Sequence, residues 1–568
     1  MVAAWTSPPD RHAVARDLTC LVLAFALALL LIGPSGNFPL LDDWSFAAAV
    51  RGILEDGTFR PTDWTAMTLV MHTFWGSAFS LFAGYSFDTL RFSTVVLAFA
   101  AVALCYLLSR ELALPRWLCM LIAATLASTP FFVVLSVTFM TDITFLAATL
   151  VAAFAFVRAL RQPSWQTFAI AIVFMLIAIL IRQLAIALPL AFAVIYPLLY
   201  RERARNGLIG GIPLLIGLAA FATYQIWLGS SGRLPADSEM WTQWFLHSLT
   251  DPGTIKVALR NIYVALVYVG LFLLPLSITI IAMADAGQHR VLRRAVFGAG
   301  LVIALLSLFT RARDGGWLVQ MPTSDNILVP SGLGTPLLRD QYLLRLDNIP
   351  PLPNAFWTLV TVLGLIGATL LLALLATTVI ALVNRWRRRQ ATHRDGAAAL
   401  LLVTVVAYLF PVLLTAFFDR YLLPAVPLLA ISLAAVLNPM GARLPPIGLR
   451  WLSVALLAGF ATFSIAGTHD YLAWNRLRWQ MLGDLMQQRQ LTPAQIDGGS
   501  EFNGLLNYRK GYVPVEGKSS WWVDGDDWLI GFGAVPGYDI IERRSYRHWL
   551  PGNGELVVLR KIATGSSL

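Results

Sequence analysis

The sequence predicts a polytopic α-helical membrane protein of about thirteen spans followed by a small α+β domain. Hydrophobic residues make up 57% of the 568 and charged residues only 13%, against about 25% charged in soluble domains. Apolar runs long enough to cross a bilayer recur at 18–34, 90–109, 117–135, 141–157, 166–182, 184–200, 207–228, 259–283, 295–311, 357–383, 397–417, 421–437 and 451–467. Arginines fall in alternate connections between these runs.

The first run ends in GPSGNFPLLDDW, with no small-x-small cleavage site, so it reads as an uncleaved span. Arg11 and Arg16, Arg110 and Arg116, Arg158 and Arg161, Arg201, Arg203 and Arg205, Arg290, Arg293 and Arg294, Arg385 to Arg389, and Arg443 and Arg450 all fall on one side. The positive-inside bias makes that side the cytoplasm, with the N-terminus on it and, for an odd number of spans, the C-terminal domain outside. The expected division is 1–467 for the membrane domain and 468–568 for the tail.

Four outer segments follow. The first loop, 35–89, holds AAAVRGILEDG and WTAMTLVMHTFWGSAFSLF, both patterned as amphipathic helices. Segment 229–258 contains MWTQWFLHSL, whose Trp241 and Trp244 suit an aromatic belt. Segment 311–356, rich in Gly and Pro and ending in NIPPLPN, reads as an irregular, lid-like loop. In the tail, HDYLAWNRLRWQMLGDLMQQRQ reads as one helix, and WLIGFGA, YDIIERRSY and ELVVLRK as short strands. The IDGGSEFNG stretch reads as a tight turn.

Net charge is +10, but no contiguous basic stripe with interleaved aromatics occurs, which argues against a nucleic-acid partner. Cys20, Cys105 and Cys119 lie in or beside apolar runs and suggest neither a disulfide framework nor a metal cage. Phosphate-cradling glycine motifs, HExxH and a serine-nucleophile elbow are absent from the sequence.

Asp42 and Asp43 stand where the chain leaves its first span, and a carboxylate beside hydrocarbon is costly. The pair suits general-base work or part of a divalent-cation site; the plain alternative is a helix N-cap. Asp142, in SVTFMTDITF between the third and fourth spans, is either a second functional carboxylate or another N-cap. Arg182 breaks the positive-inside pattern, so it either holds a lipid phosphate or snorkels to ordinary headgroups. In FFDRYLLPAVPLL, Asp419 and Arg420 neutralise each other, or Arg420 meets an anionic group with Tyr421 shaping the rim. His72 lies in the amphipathic part of the first loop, where a lone histidine is more often structural.

The order of these features resembles the GT-C membrane glycosyltransferases, above all the branch holding protein O-mannosyltransferases and lipid A aminoarabinose transferases. An acidic pair after span one, an amphipathic helix, a second acidic turn and a late RYLLPAVPLL hairpin carry the resemblance. It is good over 18 to about 200 and moderate at the hairpin. It implies a GT-C fold in a bacterial inner membrane, a polyprenyl-phosphate-linked monosaccharide donor, and a site on the periplasmic face. The acceptor would be an envelope glycan, glycolipid or protein, and the sugar a hexose or pentose. No cofactor is certain; a divalent cation is compatible with the acidic pair.

By the same resemblance Asp42 is the catalytic base, with Asp43 beside it where relatives carry Glu. Asp142, Arg182, Arg420, Tyr421, Trp44 and His72 group as substrate-binding residues. His72 falls where some relatives read His-Pro-Pro, but here the sequence is His-Thr-Phe. A transporter or flippase of a lipid-linked sugar is the alternative, and it calls for broken helices or paired repeats near the bilayer midplane. An assembly subunit with a decayed site is the third reading.

Overall fold

The computed structural model describes residues 11–562 apart from 201–202, 284–285, 315–319, 325, 439–443 and 553. Arg201 and Arg443 therefore lie outside the described residues.

All thirteen apolar runs are helical, but not all are simple spans. Among the described residues ten helices are long and apolar enough to cross a membrane, or eleven if one bent pair counts as a span. The bent pair is Arg116–Ser128 with Pro130–Ser136, turned by 62°. Pro130 has no N–H to continue the ladder, and the Ser128 carbonyl at the bend accepts from Ser464 Oγ at 2.9 Å. The runs at 166–182 and 184–200 become the shorter helices Trp165–Ile179 and Gln183–Leu199.

The break between those two short helices is occupied by the first loop. Thr68 Oγ1 donates to Ile179 O at 2.6 Å. The backbone N–H groups of Leu69 and Met71 donate to Ile181 O and Leu180 O, each at 3.1 Å. Carbonyls freed where a helix ends need such partners, so the first loop is docked rather than loose. As the pattern predicts, that loop carries two helices, Asp43–Asp56 and Val70–Ala83. The second starts later than its apolar pattern, after Leu69 in the left-handed region at φ 63°.

Helices Thr254–Ala282 and Asn354–Arg387 meet backbone to backbone. A Cβ on Gly270 would lie 2.3 Å from Ala368 N, so only glycine fits there.

The arginine-bearing connections gather with one another. Arg116 Nη2 lies 2.5 Å from Asp17 Oδ1, Arg161 Nη1 lies 3.0 Å from Glu111, and Arg385 pairs with Asp395. The first loop, segment 320–356 and the tail sit together elsewhere, joined by the contacts described below.

In the tail, strands at Ile496–Asp497, Trp528–Gly531, Glu555–Lys561 and Tyr538–Ser545 form one sheet in that spatial order. The first pair is parallel and the others antiparallel. Two expectations change. The span at 451–467 and the tail helix are a single 42-residue helix, Ile447–Gln488, so the expected boundary at 467/468 falls inside it. IDGGSEFNG is not merely a turn: Gly499, at φ 93°, opens the helix Ser500–Asn507. Asp497 Oδ1 braces that start by accepting from Gly499 N–H at 3.3 Å and Asn503 Nδ2 at 2.8 Å.

Segment 320–356 is tied down at both sides. Asp419 accepts the Ile327 and Leu328 N–H groups at 3.0 and 2.9 Å. On the tail side, Arg339 Nη1 reaches Asp526 at 2.8 Å, and Asp340 accepts the Phe532 N–H at 2.8 Å.

Candidate active site

Asp42 sits at the N-cap position of Asp43–Asp56, yet its side chain makes no capping bond. Its carboxylate instead accepts from Trp64 Nε1 at 2.9 Å and lies 3.3 Å from Arg420 Nη2, 378 residues away in sequence. The Asp42 side chain is 26% exposed, against 2% for Asp142. It is the accessible acid of the group.

Arg420 leads into Tyr421. The Arg420 guanidinium carbon stands 5.7 Å from the centre of the Tyr421 ring, and that of Arg182 stands at the same distance from the same ring. Tyr421 thus lies against both cations, a cation–π arrangement that fixes the ring. Arg182 is closed off by its partners: Nη2 lies 2.9 Å from Asp142 Oδ2, and Nε donates to Thr141 Oγ1 at 2.7 Å. It does not snorkel to headgroups, being 4% exposed. Each cation keeps one buried nitrogen without a hydrogen-bond partner among the described residues, Nη2 in Arg182 and Nε in Arg420; Arg420 differs in pairing with the more accessible carboxylate of Asp42. Asp419 does not neutralise Arg420 alone; its carboxylate is occupied by the amides of Ile327 and Leu328.

Asp42, Asp142, Arg182, Arg420 and Tyr421 therefore meet in one cluster of alternating charge. Asp43, His72 and Trp44 do not join it. Asp43 is 1% exposed, and its two oxygens accept from Leu40 N–H at 2.6 Å and Phe139 N–H at 3.2 Å. Burial pushes its pKa up to about 8, opposed by the Arg91 charge and by those two amides. His72 is fully buried; Nε2 donates to Phe139 O at 3.0 Å, which leaves Nδ1 to accept from Thr144 Oγ1 at 2.9 Å. Burial pushes His72 down to about 3, keeping the ring neutral. Together Asp43 and His72 hold both polar atoms of the Phe139 backbone, and so brace the turn that presents Thr141 and Asp142. Trp44 faces the tail, 5.1 Å from the Trp522 ring and 5.4 Å from that of Tyr508.

Three residues at the site escape the sequence reading. Trp64 holds Asp42, but one tryptophan among 19 carries no local mark of that. Asp237 opens the helix Ala236–Ser248, its N–H donating to Asp63 O at 3.0 Å. Burial, then the charges of Asp42 and Asp63, push Asp237 up to about 6. Glu501 stands in the helix hidden within IDGGSEFNG; its Oε1 accepts the Leu41 N–H at 3.3 Å. Leu41, at φ 56°, is a left-handed residue immediately before Asp42, a conformation that costs about 1–3 kcal/mol. Among the described residues no group of three or more His, Cys, Asp or Glu is placed to hold a metal ion.

An apolar groove of about 500 Å³ runs between Arg11–Ile32 and Phe87–Glu111, lined by Leu29, Leu30, Phe92, Val95 and Phe99 with Asp88 and Arg91. None of the five cluster residues lines it.

Residues 68–227 match the family model described as dolichyl-phosphate-mannose-protein mannosyltransferase. The match takes in Asp142 and Arg182. It leaves out Asp42 and Arg420. No curated protein matches the chain. Among solved structures it resembles the crystal structure of ArnT from Cupriavidus metallidurans bound to undecaprenyl phosphate. That likeness has 14% identity and a TM-score of 0.36 and covers 96% of this chain and 99% of that one. It is too distant to carry an inference about fold or function.

Proposed function

We propose that the protein is a GT-C-type membrane glycosyltransferase that moves one sugar from a polyprenyl-phosphate donor to a hydroxyl-bearing acceptor. On this reading the face carrying the tail is periplasmic, as the arginine distribution predicts. The observation that carries it is the convergence of the half-buried, accessible Asp42 carboxylate and the incompletely satisfied Arg420 at 3.3 Å. The match of 68–227 to a family named for a polyprenyl-phosphate-dependent transfer supports it.

Asp42 is the general base. The acceptor hydroxyl loses its proton as the new glycosidic bond forms, and Asp42 takes that proton. The bond from the anomeric carbon to the phosphate oxygen breaks, and the phosphate leaves as an anion. Arg420 stands ready to stabilise that charge, with Arg182 behind Tyr421 adding a second, more distant cation. Arg420 pairs with Asp42, and a donor phosphate that competes for the guanidinium releases the base. Asp142 and Thr141 hold Arg182, and the groove beside the first loop offers apolar lining for part of the prenyl chain. A transporter calls for broken helices, and the chain has breaks at Thr129–Pro130 and at 180–182, so the test below carries a transport arm beside the transfer arm.

The test uses the full chain in sealed proteoliposomes with undecaprenyl phosphate carrying labelled mannose, glucose or aminoarabinose, and a cell-envelope extract as acceptor. Label appearing on an envelope component with release of undecaprenyl phosphate supports transfer. Movement of intact donor across the bilayer without transfer overturns it in favour of a flippase.

A further inference from the structure

We infer that the tail domain reaches into the active-site loop through Glu501, which acts as a positioning residue for Asp42; this rests on Asp42 being the base. Three contacts from the tail converge on that loop. Glu501, with no exposed side-chain surface, accepts the N–H of Leu41, the residue before Asp42 and 460 positions away. Gly504, one turn along the same helix, lies against the Trp44 ring so closely that a Cβ would stand 2.4 Å from Cε2. Trp522 packs at 5.4 Å on Trp64, whose indole N–H holds the Asp42 carboxylate.

The loop needs such a hold. Leu41 is in the left-handed region, where a residue with a side chain persists only if its surroundings over-determine it. Two consecutive amides are captured by carboxylates: Leu40 by Asp43 from within the loop, Leu41 by Glu501 from the tail. Glu501 is paired with Arg478 at 3.0 Å, both wholly buried. Arg478 spends only Nη1 on the carboxylate; its Nε and Nη2 have no hydrogen-bond partner among the described residues. A buried ion pair contributes little stability by itself, since desolvation offsets the attraction. Its distinctive contribution here is a directional, charge-assisted bond to one backbone N–H.

This geometry makes the tail part of the catalytic apparatus. Glu501 touches no reacting atom; it sets where the Asp42 carboxylate stands relative to Arg420. A small displacement of a catalytic group costs rate rather than binding.

The test compares two double variants of the full chain in nanodiscs. Glu501→Leu with Arg478→Met replaces the ion pair by apolar groups and removes the acceptor for Leu41. Glu501→Gln with Arg478→Met also removes the charges but keeps a carbonyl oxygen facing Leu41. Expected is a drop of about 10²-fold in kcat for the first at little changed KM for the active donor of the panel above. Its pH–rate profile should also be displaced, and the second double variant should regain most of the rate. By hydrogen exchange, peptide 38–46 should lose protection in the first and keep it in the second. Glu501→Asp keeps the charge for Arg478 but withdraws the oxygen from Leu41, and should show the same loss should the first double variant not fold. Equal rates and equal protection of 38–46 in the Leu and Gln variants would overturn the proposal. Full activity in Asp42→Asn would instead remove the base reading, and the exchange comparison would still decide the Leu41 contact.

Discussion

The arginine-bearing end of the bundle and the end that holds the Asp42 cluster both pair acids with arginines, and they do so differently. At the first, Arg116, Arg161 and Arg385 keep side-chain exposures of 38%, 33% and 36%, although their partners Asp17, Glu111 and Asp395 are only 9%, 13% and 4% exposed, so each pair has its cation in water. At the second, Arg182 and Asp142 are 5% and 2% exposed, and Arg420 is 7%. A pair at the water boundary is inexpensive and contributes little. A pair withdrawn from water carries a desolvation cost that its attraction barely offsets. The first end therefore reads as a set of structural ties, and the second as charge held in place for chemistry.

That contrast is open to several tests, beginning with the largest. Arg420→Gln should lower kcat by about 10²–10³-fold, the loss typical of removing a donor that stabilises developing negative charge. Arg116→Gln at the other end should leave kcat unchanged, and single-turnover transfer of labelled sugar reads both. Asp142→Asn leaves Arg182 buried without its partner and should destabilise the protein by about 3–5 kcal/mol. Glu111→Gln leaves Arg158 and Arg161, 58% and 33% exposed, able to turn to water, and should cost less, about 1 kcal/mol; unfolding in detergent separates the two.

A third test uses pH. His72 titrates near 3 in the folded chain against 6.5 for a free histidine. Between those values the unfolded chain binds the extra proton, so stability is full above 6.5 and is lost as pH falls towards 3. The thermal midpoint should decline over that window, and less so in His72→Gln. The smallest effect concerns Asp237. Burial and neighbouring charges push it up to about 6, so stability falls as pH rises from about 4 to 6, and Asp237→Asn should remove that part of the slope in the thermal midpoint.

Much of this arrangement is visible in the residues themselves. A charge beside an apolar run stands out, so Asp42, Asp142, Arg182 and Arg420 are all legible, as are the apolar runs and the three longer tail strands. What each carboxylate does is not. Asp42 and Asp43 are chemically identical neighbours, and only the packing makes one reach Arg420 and Trp64 while the other grips two backbone amides. His72 likewise gives no local sign that both its nitrogens are used to brace the turn before Asp142. Glu501 is hidden because GG followed by SEFNG has the composition of a turn, and the helix there depends on Asp497 and Asn503 bracing its start. The span count blurs where helices break, at Thr129–Pro130 and at 180–182, since the apolar run continues across a bend.

The most direct measurement is sugar transfer by Asp42→Asn, made with undecaprenyl phosphate binding measured on the same preparation. If Asp42 is the base, the variant binds the lipid phosphate as the wild type does and transfers no label above background. Transfer at the wild-type rate would contradict the account.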